Sequence, residues 1–206
     1  MSDTTDTDFD HLIPFIPKIK EFSKEHYPEK EGLHGLPHVK RVLQTARRIH
    51  AHEGGSWPLI ECIVWLHDIG RKYEKEQKKN HAIISGKSAE TFLKTLDFSP
   101  RDIQEIRHGI LGHSYSMGGK PQTLEAQITS DADKLDALGA VGIFRVCAYQ
   151  GQQGSGIPAV IAHINEKILK LESHMFLDFS KGLAHERSSF ILEFMKRIEE
   201  ETTEYF

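Results

Sequence analysis

The chain has 206 residues, of which 38% are hydrophobic and 27% are charged, so it is long enough for one well-filled domain and short for two. Its net charge is −4 with acidic and basic residues interspersed, which argues against a protein that binds nucleic-acid polymers mainly through charge but allows a small anionic ligand. No apolar run has spanning length and the acidic start carries no signal-peptide pattern, so we expect no membrane contact.

The cysteines and histidines indicate a compartment and a kind of site. Cys62 and Cys147 both lie in apolar runs, and we interpret them as buried free thiols. A chain without a disulfide framework or a secretion signal is expected in the reducing cytoplasm. The 13 histidines are many for this length and favour a histidine site.

The predicted elements are all helical, and no β-alternation, internal repeat or linker interrupts them. We therefore predict an all-α helical bundle in a single domain, 1–206, in which residues 1–10 are disordered, the site lies within about 34–150, and the last helices occupy about 158–205. Helices are predicted, in chain order, at about 17–26, 37–52, 58–68, 82–96, 100–111, 123–138, 141–149, 158–172 and 180–201. Loops are predicted at 29–36, at the charged segment 71–80, and at the glycine-rich segments 118–121 and 151–156.

The third predicted helix, from Leu59 to Leu66, is almost wholly apolar and should be buried, and it ends at His67-Asp68. A carboxylate at that end meets the negative pole of the helix and loses hydration, so it needs a positive partner. A divalent metal would supply that charge, and imidazole and carboxylate are suitable ligands. His38 faces the core in the first turn of the second helix, where a histidine alone is more often structural than a ligand.

Three further aspartates, Asp131, Asp133 and Asp136, lie late in an amphipathic helix. Asp136 is expected to be solvated at the helix end. Asp131 falls in line with the apolar positions Ile128 and Leu135, so helical periodicity points to Asp131 as the more buried of the other two.

The order of these residues resembles the HD-domain metal-dependent phosphohydrolases, in particular small stand-alone bacterial members. That family has one early histidine, an adjacent His-Asp pair ending the next core helix, and a distal aspartate. Here the order is His38, His67-Asp68 and the Asp-Ala-Asp-Lys segment that contains Asp133. The resemblance extends through His81-Ala82, Ile106–Ser116 and Gly139–Arg145, and it covers the chain from His34 to the final helix.

The resemblance implies one divalent ion held by His38, His67, Asp68 and Asp133. Periodicity favours Asp131 instead, but the family's ligand directly precedes a Lys or Arg, so we assign Asp133 as the ligand and Asp131 as a residue that orients one. A capping or salt-bridge role is the alternative for Asp131. The ion could be Mn, Ni, Co, Fe, Zn or Mg, with manganese our working choice. Some family members bind a second ion with two further histidines, and His108 and His113 are candidates.

The residues around the ion are assigned by the same resemblance. His67 and Asp68 support the reaction through the metal, and His113 is a candidate general acid. His108 is assigned an orienting role beside it. The residues assigned to substrate are His34, His81, Lys134 and Arg145. A buried ion pair with Asp136 or Asp133 is the alternative for Arg145, and a solvated position is the alternative for Lys134.

The implied reaction is hydrolysis of a phosphoester or phosphoanhydride in a small phosphorylated substrate, expected to be a nucleotide. A nucleoside triphosphate pyrophosphohydrolase is the first choice, and a 5′-nucleotidase, a cyclic-nucleotide phosphodiesterase or a non-catalytic nucleotide-sensing module are alternatives. The final helix carries Phe190, Ile191, Phe194 and Ile198, which could pack on its own core or on a second subunit, so a monomer and a homodimer are both open.

Overall fold

A computed structural model describes residues 9–28, 34–114, 118 and 120–203, and within these residues the fold is all helical, without a strand. It forms two compact units, Met1–Ala132 and Asp133–Phe206, so the boundary lies inside a helix. The α-helices are α1 (Ile16–Lys24), α2 (Leu36–Glu53), α3 (Trp57–Leu66), α4 (Glu74–Gln77), α5 (His81–Lys94), α6 (Pro100–His113), α7 (Leu124–Asp136), α8 (Gly139–Gln152), α9 (Ile157–His163) and α10 (Asp178–Thr203). The predicted all-α class is confirmed.

Helix α3 is the centre of the first unit, as its apolar sequence predicts. Every residue from Pro58 to Leu66 is buried, and the helix packs against α1, α2 and α6. Its one acidic residue, Glu61, is neutralised by Lys20 at 2.7 Å and accepts a hydrogen bond from Trp57 Nε1 at 2.9 Å. His67 and Asp68 therefore lie at the end of a helix that α1, α2 and α6 surround.

Helix α2 lies beside α3 because its apolar stripe faces the core. Val39, Val42, Ala46 and Ile49 are fully buried, and the helix ends at Gly54, whose φ of 80° suits a residue without a side chain. His38, one position before the stripe begins, is fully buried with it.

The first turn of α5 packs closely against the turn that follows Asp68. A Cβ placed on Gly70 would lie 2.6 Å from the carbonyl oxygen of His81 and 2.6 Å from the backbone nitrogen of Ser85. Asn80 caps α5 by accepting a hydrogen bond from the Ala82 N–H at 2.9 Å. Glycine at position 70 thus allows α5 to bring His81 close to Asp68.

The second unit contains the end of α7 and α8 to α10, and α10 packs on α8 and on the turn Leu169–His174. Asp136 is buried and pairs with Arg145 Nη1 at 2.6 Å, so the expectation that it is solvated is wrong. The arginine compensates the carboxylate that would otherwise meet the end of α7 unpaired. Ile191 of α10 is buried whereas Phe190 is exposed.

Several local predictions are corrected by the structure. Phe9 is buried and Asp10–Phe15 forms a 3-10 helix, so the end of the predicted disordered segment is ordered, while residues 1–8 lie outside the described residues. The segment 71–80 is not a simple loop, because Arg71–Tyr73 forms a 3-10 turn that continues into α4. Residues 158–172 do not form one helix, since α9 gives way to the π-helical turn Ile164–Ile168.

The remaining corrections concern exposure. Cys62 is a buried thiol as predicted, but Cys147 is exposed because the neighbouring Val146 takes the inward position on α8. Among the described residues, no helix combines the length and apolarity that a membrane crossing would require. Residues 29–33, 115–117 and 119, which fall in predicted loops and in the family-like segment before α7, are outside the described residues.

Candidate metal centre

Three buried side chains from α2 and the end of α3 converge at one point. The Nε2 atoms of His38 and His67 lie 3.4 Å apart, and they are 4.0 Å and 3.8 Å from Asp68 Oδ2. His67 Nδ1 donates a hydrogen bond to the Val64 carbonyl oxygen at 2.7 Å, which leaves the Nε2 lone pair of the neutral ring facing His38 and Asp68. A tautomer fixed in this way is typical of a metal-ligating histidine.

A second set of donors faces the other oxygen of Asp68. Asp68 Oδ1 is 3.3 Å from His81 Nε2 and 3.5 Å from His113 Nε2, and the two nitrogens are 3.3 Å apart. His113 Nδ1 donates to the Ile110 carbonyl oxygen at 2.5 Å, so its Nε2 is also an acceptor when the ring is neutral. Three acceptors at these separations repel one another unless a cation lies between them.

The Asp68 turn is anchored from the outside by three residues. Arg71 Nε is 3.1 Å from both carboxylate oxygens of Asp68, and His34 Nδ1 is 3.1 Å from Oδ2. The Asp68 N–H donates to the Tyr27 hydroxyl at 3.1 Å, and that hydroxyl donates to the Trp65 carbonyl oxygen at 3.1 Å. The carboxylate is therefore fixed in orientation before any ligand arrives.

The electrostatics of the cluster favour a charged Asp68 and neutral imidazoles at His34 and His81. Burial opposes ionisation of Asp68, but the positive charge of Arg71, with smaller contributions from the neighbouring histidines, holds the pKa of Asp68 well below its usual range. Burial lowers the pKa of His81 to about 4, and it also lowers the pKa of His34. At neutral pH these side chains are in the protonation states that bind a metal.

The chemistry of these donors fits divalent ions. Neighbouring ligands of an ion with bonds of about 2.1 Å are about 3.0 to 3.4 Å apart, which matches the separations between the nitrogens within each histidine pair. Among the described residues of the first unit, two sets of donor atoms lie close enough together to share an ion: His34, His38 and Asp68, and His67, Asp68 and His113. Asp68 belongs to both, so its two oxygens could serve two neighbouring ions.

The other residues singled out from the sequence lie elsewhere or belong to the second unit. His108 Nε2 accepts a hydrogen bond from the Gln122 N–H at 3.0 Å, and Asp131 is fully buried on α7. Asp133 is half-buried and opens the second unit, and its assignment as a ligand stays a prediction. Lys134 is buried with Nζ 4.7 Å from the ring centre of Phe176, and Arg145 pairs with Asp136, so their assignments to substrate also stay predictions.

Sequence reasoning missed two residues that the structure brings to the cluster, Arg71 and Glu74. Both lie in the charged run after His67-Asp68, which resembles a solvated loop because its charges alternate. The available signal was spacing, since Arg71 follows Asp68 by three residues and can fold back on it in a turn. His81 and His113 were singled out, but their meeting at Asp68 depends on the packing of α5 against α6.

Known proteins resemble this chain over most of its length. The chain is 28% identical over 192 residues to the Bacillus subtilis protein YpgQ, covering 89% of this chain and 92% of that protein. The crystal structure of YpgQ in complex with ADP superposes with a TM-score of 0.72 and 26% identity, covering 90% of this chain and 97% of the other. An HD-superfamily hydrolase from Bacillus thuringiensis gives a TM-score of 0.72 and 26% identity over 93% and 98% of the two chains.

A more distant relative and the family pattern complete the comparison. A deoxyguanosinetriphosphate triphosphohydrolase-like protein of Caldanaerobacter subterraneus is 31% identical over 110 residues, which are 48% of this chain and 32% of that protein. The pattern of the HD domain matches residues 35–138, about half of the chain, and this stretch contains His38, His67, Asp68, His81 and His113. The chain therefore belongs to the HD-domain family of metal-dependent phosphohydrolases.

Proposed function

We propose that the protein hydrolyses a phosphoanhydride bond of a small nucleotide, and that it is a nucleoside triphosphate pyrophosphohydrolase. The observation that carries this proposal is the buried Asp68 carboxylate, which faces His38 and His67 with one oxygen and His81 and His113 with the other. The ADP bound by YpgQ and the name of the Caldanaerobacter relative support a nucleotide as the substrate.

The proposed ligands of the first ion are His38, His67 and Asp68, with Asp133 as the fourth by the order of residues in the sequence. A bound divalent ion would polarise the phosphoryl group and lower the pKa of a coordinated water toward neutrality. The triangle of His81, His113 and Asp68 Oδ1 favours a second ion over the single ion expected from the sequence. Nitrogen-rich donors suit Mn, Fe, Co, Ni or Zn better than Mg.

The chain's own residues provide orientation and charge. Arg71 holds the Asp68 carboxylate through Nε, so the ligand keeps its position and stays ionised. Segment 71–79 carries Arg71, Lys72, Lys75, Lys78 and Lys79 against Glu74 and Glu76, a local excess of positive charge next to the cluster in a chain whose net charge is −4. Such an excess attracts an anionic polyphosphate by long-range Coulomb forces.

The alternatives use the same centre differently. A 5′-nucleotidase would release inorganic phosphate from a monophosphate, and a cyclic-nucleotide phosphodiesterase would open a cyclic ester. A non-catalytic nucleotide-sensing module would bind the nucleotide and release nothing. The proposed setting is the cytoplasm, consistent with two free thiols, and the proposed assembly is a monomer or homodimer without a nucleic-acid polymer or membrane as partner.

The deciding experiment measures phosphate and pyrophosphate release from a nucleotide panel by metal-stripped protein after addition of Mn²⁺, Co²⁺, Ni²⁺ or Mg²⁺. We expect metal-dependent pyrophosphate release from nucleoside triphosphates, and its loss in His67→Ala and Asp133→Ala. The matched controls are His185→Ala and Asp178→Ala, exposed residues of α10 that should leave turnover unchanged. Release of phosphate alone would favour the nucleotidase, and ligand binding without turnover would favour the sensing module.

The number of ions is tested separately by elemental analysis of the metal-loaded protein. Two ions per chain in the wild type and one in His113→Asn would support the second site. One ion in both proteins would contradict it, and would leave His113 for the role of general acid expected from the sequence.

A further inference from the structure

The short helix α4 places one acidic side chain against His81. Glu74 Oε1 lies 3.2 Å from the backbone nitrogen of His81 and 3.3 Å from its Nδ1. The carboxylate accepts from the backbone N–H, and it can accept from the ring only when the imidazole carries its proton on Nδ1.

Arg71 connects this contact to the metal ligand Asp68. Its Nε lies 3.1 Å from the Asp68 carboxylate and its Nη1 lies 3.5 Å from Glu74 Oε2. His81 Nε2 is in turn 3.3 Å from Asp68 Oδ1, so a cation bound between these two atoms would close a ring of four side chains: Asp68, Arg71, Glu74 and His81. Arg71 and Glu74 each contact two of the others, so neither can rotate without breaking two interactions.

We propose that Glu74 is a positioning residue that fixes the tautomer and the ring orientation of His81, and that Arg71 holds Glu74 in that position. The Glu74 carboxylate keeps the proton of His81 on Nδ1, so the Nε2 lone pair faces Asp68 Oδ1 and His113 Nε2. Helix α4 thereby helps to prepare the centre for a metal ion. It rests on the proposed function only in taking the space between His81, His113 and Asp68 as a cation site.

A purely structural role for Glu74 makes a different prediction. The hydrogen bond from the His81 N–H alone would stabilise the start of α5, and its loss would lower stability without changing the imidazole. Glu74→Gln separates the two roles, because an amide oxygen still accepts from N–H groups but has no charge to favour the proton on Nδ1. Glu76 is exposed two residues later on α4, and its replacement removes the same charge, so it serves as the control.

The first readout is the tautomer of His81 in metal-stripped protein, measured from imidazole nitrogen shifts and assigned with His81→Asn. In the wild type and in Glu76→Ala we expect the form protonated on Nδ1. In Glu74→Ala we expect a mixture of both tautomers, and in Glu74→Gln an intermediate state. Should Glu74→Ala fail to fold, Glu74→Gln alone decides.

The second readout is metal affinity by calorimetry, with Mn²⁺ as the probe. Loss of an outer hydrogen-bond partner lowers the affinity of metal sites by about 10- to 100-fold, and we expect that loss for Glu74→Ala and not for Glu76→Ala. The turnover number should fall with it, while KM changes less. An unchanged tautomer and unchanged affinity in both Glu74 variants would overturn the inference, even if stability fell.

The same titrations separate this inference from the proposed function. His67→Ala should abolish binding at the first site whether or not Glu74 matters. If His67→Ala loses metal and turnover while both Glu74 variants match Glu76→Ala, the proposed function stands and the role of Glu74 is wrong. If His67→Ala binds metal like the wild type, the proposed function fails. The measurement of the His81 tautomer still tests the role of Glu74 in that case.

Discussion

The N–H of Gly70 donates a hydrogen bond to the Ser85 hydroxyl at 2.9 Å, across 15 residues of sequence. This bond joins the turn that carries Asp68 to the first turns of α5. Since a Cβ on Gly70 would fall 2.6 Å from two backbone atoms of α5, the contact depends on the missing side chain. The distance between Asp68 and His81 is therefore controlled by Gly70.

Replacing Gly70 by alanine should push α5 away from the Asp68 turn. We expect Gly70→Ala to lower the free energy of unfolding by about 1 to 3 kcal/mol, the usual cost of overpacking, and to weaken Mn²⁺ binding. Urea unfolding and calorimetry measure the two effects. Gly86→Ala within α5 is the control. Its added Cβ would meet only ordinary contacts at 3.5 Å or more, and alanine favours a helix. Equal stability of the two variants would contradict this account.

The start of α6 depends on a reciprocal pair of hydrogen bonds. Asp102 N–H donates to Ser99 Oγ at 3.2 Å, and that hydroxyl donates to Asp102 Oδ2 at 2.7 Å, while His11 lies 3.0 Å from the same carboxylate oxygen. We expect Ser99→Ala to lower the free energy of unfolding by about 0.5 to 2 kcal/mol in urea titrations. Ser189→Ala on the exposed face of α10 should cost much less, and similar losses in both would refute a capping role.

Stability of the metal-stripped protein should fall in mildly acidic solution because of His81. Its pKa of about 4 lies below the unfolded value of about 6.5, so the unfolded chain binds more protons between these limits. The contribution of neutral His81 to the free energy of unfolding is fully present above about pH 6.5. It is lost as the pH falls toward 4, at up to about 1.4 kcal/mol per pH unit. His34, with a lowered pKa, acts in the same direction.

The measurement is the free energy of unfolding in urea at pH 7.5, 6 and 5, for the wild type and for His81→Asn. The wild type should lose more stability than the variant over this range. Parallel pH profiles would show that His81 is not responsible.

The ion pair between Lys20 of α1 and Glu61 of α3 should contribute more to stability than a surface pair with the same N–O distance. Lys20 and Glu61 are 2.7 Å apart with Glu61 buried, and Lys94 and Glu90 are 2.7 Å apart with Lys94 largely exposed. We expect Lys20→Met to lower the free energy of unfolding by about 1 to 2 kcal/mol, between the values typical of exposed and of buried pairs. Lys94→Met should change it within experimental error. A double-mutant cycle with Glu61→Gln, which keeps an acceptor for Trp57, isolates the pair.

The parts of the fold that could be predicted were those recorded in local patterns. The apolar run before His67 and the stripe beginning at Val39 predict two buried neighbouring helices, because each helix must bury its apolar face against other helices. The approach of His38 to His67 follows from these two helices and from the order of residues in the family. Local patterns could not reveal Gly70, whose importance appears only when α5 is packed against it.

The outer partners of the site were harder to predict for a physical reason. Glu74 and Arg71 belong to a run of alternating charges, where each residue could equally face water. Only the backbone turn at Arg71–Tyr73 decides which of these charges turn inward, and that turn is stabilised by the site itself. Asp136 is a similar case, because local sequence predicts a solvated helix end there, whereas the ion pair with Arg145, which the sequence offered only as an alternative, joins residues nine positions apart on two helices.

The hydrogen bonds of Tyr27 show that the residues supporting the site extend beyond the stretch that matches the HD domain. The HD-domain match begins at residue 35, yet the hydroxyl that holds the Asp68 backbone and the imidazole of His34 come from residues before it. A fragment trimmed to residues 35–138 would keep the candidate ligands His38, His67 and Asp68 but would lose part of the frame that holds them. Any attempt to transplant this centre into another helical scaffold must carry the N-terminal segment along.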